Sequence, residues 1–163
     1  MILITTGTVN FSFNRLIQFS FEKLGHLNEK IIIQTGYSQL SLAKSANITH
    51  SSFFDNTKMI KLYRQADLII AAAGEGTILQ LLQFSRYQPL LFPRQKRYGE
   101  HVDDQQVLIA RVAHRQQLAQ FALELPALSK LITTMKQNPR LFTRAQPVIN
   151  QKLLYLLQSE TEQ

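Results

Sequence analysis

Apolar residues along this chain recur in two patterns: short continuous runs that suit buried strands, and three-to-four-residue steps that suit helices. Met1 to Thr5 is an apolar run ending at Gly7, and Ile31 to Ile33 is a second, closed by Thr35-Gly36. Asp67-Leu-Ile-Ile-Ala71 and Pro89-Leu-Leu-Phe92 repeat the pattern, while Ile48 to Phe54 and Leu118 to Leu123 are weaker versions of it. Runs this apolar predict strands covered on both faces. Between them, Leu16, Ile17, Phe21 and Leu24 fall at helical spacing within Asn14 to Leu24, and Gly25 stops that helix. Further helices are predicted over Lys58 to Arg64, from Ile78 through Leu82, and over Asp103 to Gln117, Ala127 to Lys136 and Arg144 to Leu157.

Strands alternating with helices imply βαβ units with right-handed crossovers. The fold class is therefore expected to be α/β: a Rossmann-like, mostly parallel sheet with helices on both faces. No linker-like tract or repeat interrupts the chain, so residues 1–158 are expected to form one domain, with 159–163 as a frayed tail. A chain of 163 residues, 45% of them hydrophobic, is long and apolar enough to build its own core.

The absence of cysteine excludes disulfides, Cys-ligated zinc and thiol nucleophiles. A formal charge of +7 favours an anionic partner such as a phosphorylated substrate. The cations are scattered except in Arg94-Gln-Lys-Arg97, and no nucleic-acid-binding motif is present, so nucleic acid is not an expected partner. Met1-Ile-Leu-Ile lacks a basic leader, and no run of about 18 apolar residues occurs, so a cytoplasmic location is expected.

In an open parallel sheet, ligands bind beyond the carboxyl ends of the strands. Three segments fall there. Thr5-Thr6-Gly7-Thr8 follows the first strand and combines a tight turn with hydroxyls that can meet an anion, although taken alone an ordinary strand-to-helix turn explains it better. Ala71-Ala-Ala-Gly74-Glu75-Gly76-Thr77 joins a strand to a helix through two glycines and a hydroxyl. That combination suits a phosphate held by main-chain amides at a helix start. It is neither a Walker loop nor a GxGxxG turn, and the carboxylate of Glu75 fits beside a diphosphate only if it points away. The third segment, Pro93 to Gln106, gathers Arg94, Arg97, Tyr98, Glu100, His101, Asp103, Asp104 and Gln106. Asp103 and Asp104 suit a helix start. A metal held by Glu100, His101 and Asp104 is a weak reading, and no metal or cofactor is expected.

These segments, in this order, resemble the C-terminal domain of glycosyltransferase family 28, and in particular its short two-chain type from bacterial capsule and exopolysaccharide synthesis. The likeness lies in Ile2-Leu-Ile-Thr-Thr-Gly-Thr8, Gln34-Thr-Gly36, Ala66-Asp-Leu-Ile-Ile-Ala71, Ala73-Gly-Glu-Gly-Thr-Ile78, Pro89-Leu-Leu-Phe-Pro-Arg94 and Tyr98-Gly-Glu-His-Val-Asp-Asp-Gln-Gln106. The resemblance implies the donor-binding, C-terminal half of a GT-B transferase. Such an enzyme moves a hexose or N-acetylhexosamine from a UDP-sugar to a lipid-linked acceptor, with inversion, alongside a membrane-associated subunit that binds the acceptor. It places Gly74, Gly76 and Thr77 on the donor diphosphate, Gln80 at the ribose, and Thr6, Gly7 and Thr8 facing the cleft. Glu100, His101, Asp104 and Gln106 fall at the donor sugar, with Glu100 or His101 as base and Arg94 or Arg97 adding positive charge. Ala72, Glu75 and Gln105 depart from the family's usual residues. A non-catalytic accessory subunit is the alternative reading.

Overall fold

The computed structural model describes residues 1–39 and 45–139; the last predicted helix and the tail lie outside them. Six strands form one sheet, β1 (Ile2–Thr5), β2 (Ile31–Gln34), β3 (Ile48–Ser51), β4 (Leu68–Ala71), β5 (Leu90–Leu91) and β6 (Gln120–Phe121), in the order β3-β2-β1-β4-β5-β6. Every pairing is parallel, with Ile2 opposite both Ile31 and Leu68. The helices are α1 (Asn14–Phe19), α2 (Asn56–Gln65), α3 (Glu75–Phe84), α4 (Gln105–Arg115) and α5 (Leu125–Gln137).

The apolar runs work because the strands are covered twice. Leu3, Ile32, Ile69 and Leu91 face one core, closed by Met59 and Leu62 of α2, Ile78 and Leu81 of α3, and Ile109 and Val112 of α4. Their alternating neighbours Ile2, Ile4, Ile31, Ile33, Ile70 and Leu90 face the other, closed by Leu16 and Ile17 of α1 and Leu128 and Ile132 of α5. The period-two alternation of a strand thus feeds two separate cores.

Where the sequence-based boundaries were too generous, the cause is local. The helix predicted over 14–24 widens into a π-type turn at Ser20–Leu24, with Ser20 Oγ donating to the Leu16 carbonyl at 2.7 Å. The strand predicted over 48–54 stops at Ser51: it is the sheet's edge, half-exposed, and has one strand neighbour. The helix predicted from Asp103 begins at Gln105, because Asp103 and Asp104 use their side chains in the preceding loop. Among the described residues no helix is long and apolar enough to cross a membrane.

The chain leaves β1 toward β2 on one side and later returns from β3 to β4 on the other. That makes the gap between β1 and β4 the sheet's topological switch point. The loops after these two strands open there. Gly36, after β2, supports the β1 loop from behind. It has φ +57°, and a Cβ at that position would lie 2.6 Å from Thr6 Oγ1 and 3.2 Å from the Gly7 carbonyl oxygen. Gly36→Ala is expected to cost at least about 1–2 kcal/mol for the left-handed backbone alone. The contact with Thr6 adds to that loss, which urea denaturation measures directly.

Candidate functional site

A cavity of about 380 Å³ occupies the switch point. Its lining comes from the β1 loop (Thr6, Gly7, Thr8), from the β4–α3 turn (Gly74, Glu75, Gly76, Thr77), from Gln80 one turn along α3, and from Gln106. Gly7 makes the sharp turn at φ +72° that lets the loop fold toward α3. A Cβ on Gly7 would lie 3.5 Å from Thr77 Oγ1, so the two loops meet there.

Gly74 caps α3 in extended geometry and offers no side chain; the first intrahelical bond runs from the Ile78 amide to the Gly74 carbonyl. The helix itself can satisfy none of the amides of Glu75, Gly76 and Thr77. They point out of the helix start with its positive dipole end, the arrangement that holds a phosphate or carboxylate. The Glu75 carboxylate is exposed and reaches across to Gln105 Nε2 at 3.5 Å.

Behind the cavity, one amide fixes two loops. Gln106 is 3% exposed, and its Oε1 accepts from both the Ala73 and Arg94 backbone amides at 3.2 Å. With that oxygen doubly occupied, the donor end of the side chain is left on the cavity side, where Gln106 is part of the wall. Gln34 does the same further along. Its Nε2 donates to Thr5 Oγ1 at 3.2 Å and its Oε1 accepts from the Phe54 amide at 3.1 Å, tying the β1 loop to the chain after β3.

Of the residues expected at the site, Thr6, Gly7, Thr8, Gly74, Gly76, Thr77, Gln80 and Gln106 come together around this cavity. Arg94, Arg97, Glu100, His101 and Asp104 do not line it. Arg94 is fully buried under Phe13, and its guanidinium donates to the carbonyls of Thr6 at 3.0 Å, Ser12 at 2.9 Å and Glu100 at 3.4 Å. Burial draws its pKa down to about 10, against the pull of Glu100, so it remains a cation at neutral pH. Its charge is spent inside the protein; the expectation that it meets the donor is corrected. Glu100 is likewise buried. It makes a two-point ion pair with Arg15, Nε to Oε1 and Nη2 to Oε2 both at 2.9 Å, and accepts from the Gln95 amide at 3.0 Å. Arg15 is held between the rings of Phe92 and Tyr98, its guanidinium 4.3 Å from each centroid. A carboxylate so engaged is not an available base, which corrects the second expectation.

His101 and Asp104 serve the loop. His101 Nδ1 lies 2.8 Å from Asp103 Oδ1, and its ring packs on Phe11 of the β1 loop. The Gln105 amide, aided by His101, holds the Asp103 carboxyl below the usual carboxylate range. Asp104 accepts from the Lys96 amide at 2.9 Å. The three residues weighed as metal ligands thus face three different partners. Arg97 is exposed and pairs with Glu124.

Sequence reasoning missed the cavity's other end, formed by Phe54, Asn56, Met59 and Tyr63. Asn56 Oδ1 accepts from Gln80 Nε2 at 3.1 Å. Burial pushes the Tyr63 phenol up to about 12, above its unfolded value of about 10. The folded state therefore keeps the proton longer, and the stability this contributes is intact below about pH 10 and lost as pH rises toward 12. Absorbance titration is expected to reveal a late-ionising tyrosine that Tyr63→Phe removes.

Residues 1–156 match the Glycosyltransferase family 28 C-terminal domain. The chain belongs to that family. Among solved structures, MurG of Acinetobacter baumannii superposes with a TM-score of 0.65 and 25% identity, over 97% of this chain and 49% of that one. The glycotransferase of kitacinnamycin gives 0.61 at 14% identity, over 96% of this chain and 38% of the other. The glycosyltransferase SnogD from Streptomyces nogalater gives 0.53 at 17%, over 74% and 30%. The latter two speak to fold alone. This family 28 domain thus spans about half the length of MurG and has the Rossmann-like architecture of a GT-B half. No curated protein matches the sequence.

Proposed function

We propose that this family 28 domain binds the UDP-sugar donor of a glycosyltransferase and presents it for inverting transfer of a hexose or N-acetylhexosamine to a lipid-linked sugar acceptor. The observation that carries this is the cavity at the switch point, where the unpaired amides at the start of α3 and the Thr77 hydroxyl meet the turn at Gly7 and Thr8. The diphosphate lies against those amides, which neutralise the charge that grows on the leaving group as the glycosidic bond breaks. Gln106 offers its donor end beside Gly74, where phosphate and sugar oxygens lie.

The acceptor-binding half, and membrane attachment at the cytoplasmic face, belong on this reading to a separate subunit. Support comes from the likeness to the two-chain type. The side chains also favour it: the described cavity lining carries one carboxylate, Glu75, and no histidine, so the base that takes the acceptor proton comes from the facing half. The same observation keeps the accessory-subunit reading alive, since donor binding without a local base is what an accessory subunit also displays.

Calorimetric titration tests the proposal. UDP is expected to bind at micromolar to millimolar strength, UMP more weakly, and uridine alone weakest, because the amides grip the diphosphate. No heat with UDP at several millimolar, or uridine binding as well as UDP, overturns it. Turnover of a UDP-sugar on adding the partner subunit, against none, then separates enzyme from accessory.

A further inference from the structure

The mechanism leaves one polar group of the cavity unused. Tyr63 is 2% exposed, its ring sits in the core beneath the sheet, and yet it forms part of the cavity wall. Among the described residues its hydroxyl has no hydrogen-bond partner. Nor is the oxygen sealed: the fully enclosed polar side-chain atoms left without a partner are Asn14 Oδ1 and Arg94 Nε. The phenol oxygen therefore opens onto the cavity. A buried hydroxyl with no partner is a cost to the fold unless something in the cavity meets it.

The cavity is chemically lopsided, and Tyr63 stands at a definite end. One end is main-chain amide and hydroxyl, from Gly74 to Thr77 and from Thr6 to Thr8. At the other, Phe54, Asn56, Met59 and Tyr63 all come from the single stretch leading into and along α2. An apolar and aromatic wall with a few hydrogen-bonding groups set in it suits a planar heterocycle and its sugar; the amide end suits phosphate. We infer that Tyr63 is a ligand-binding residue, its hydroxyl hydrogen-bonding the nucleoside half of the donor.

This rests on the nucleotide-donor reading above and adds to it a residue that selects for the nucleoside rather than for the phosphates. The elevated phenol pKa is consistent with the assignment: the hydroxyl stays protonated at working pH and is a donor as well as an acceptor, not a base.

Tyr63→Phe removes one oxygen and keeps the ring. Calorimetry with UDP is expected to show affinity falling about three- to tenfold, the size of one hydrogen bond. Binding of inorganic pyrophosphate is expected to be unchanged, and the urea midpoint unchanged or slightly higher, because no protein partner is lost. Equal UDP affinity in the two proteins overturns the assignment while leaving the nucleotide reading intact. A lowered urea midpoint with unchanged UDP affinity also overturns it, by showing that the hydroxyl serves the fold. Loss of pyrophosphate binding in step with UDP overturns it too, since the effect then lies at the phosphate end. If wild-type protein binds pyrophosphate but not UDP, the donor reading itself fails, and this inference with it.

Discussion

Gly76→Leu is expected to weaken UDP binding by at least tenfold while changing stability by less than about 1 kcal/mol. The separation follows from what surrounds this glycine. A Cβ built on Gly76 meets no atom within 4 Å, and its backbone is ordinary helix, so the protein gives a side chain room. That room is the cavity itself, because Gly76 is part of its wall. Leucine also suits a helix better than glycine by up to about 1 kcal/mol, which offsets the cost of exposing an apolar side chain there. An uncharged residue is the right probe, because a cation would itself attract the diphosphate at the proposed site. Calorimetry beside urea denaturation checks both halves. A leucine variant that binds UDP as the wild type does places the nucleotide elsewhere.

The second large effect is on folding. Glu100→Ala is expected to destabilise the protein by about 3–5 kcal/mol, because it leaves the guanidinium of Arg15 largely buried without its counter-charge. Arg15 cannot easily turn to water: Phe92 and Tyr98 flank it, and Nη1 is bonded to the Leu123 carbonyl at 2.9 Å. For a domain of this size the loss corresponds to a fall in Tm of roughly 10 °C or more. If Glu100 were instead a base at the cleft, the alanine variant would keep its Tm and lose only turnover. Differential scanning calorimetry separates the two outcomes without any substrate.

The contrast between these residues marks what the sequence made legible. The strands were readable because both faces are covered, so apolar runs stand out; β3 and β6, short and partly exposed at the sheet's edges, blurred at their ends. The turn at Gly74 to Thr77, where we propose that the diphosphate binds, was readable as a cavity wall because its features are main-chain: glycines and a strand-to-helix turn are visible in one dimension. The long polar loop after β5 was misread in part. Arg94 and Glu100 have the residue types of a working site, but their partners Thr6, Ser12 and Arg15 lie more than 80 positions away in sequence. Nothing local reveals that pairing. Tyr63 was passed over for the opposite reason, since within a helical pattern it reads as one more core position, and only the cavity shows that its oxygen is idle.

Arg94 carries a consequence for anyone who would re-engineer specificity. One side chain takes the carbonyls of two β1-loop residues, Thr6 and Ser12, and of Glu100, while its own backbone amide is pinned to the glutamine that also holds Ala73. Arg94 thus ties the β1 loop to the loop after β5, and Gln106 ties that loop in turn to the turn after β4. A graft that exchanges the three segments together, with Arg94 and Gln106, carries all of these backbone contacts with it.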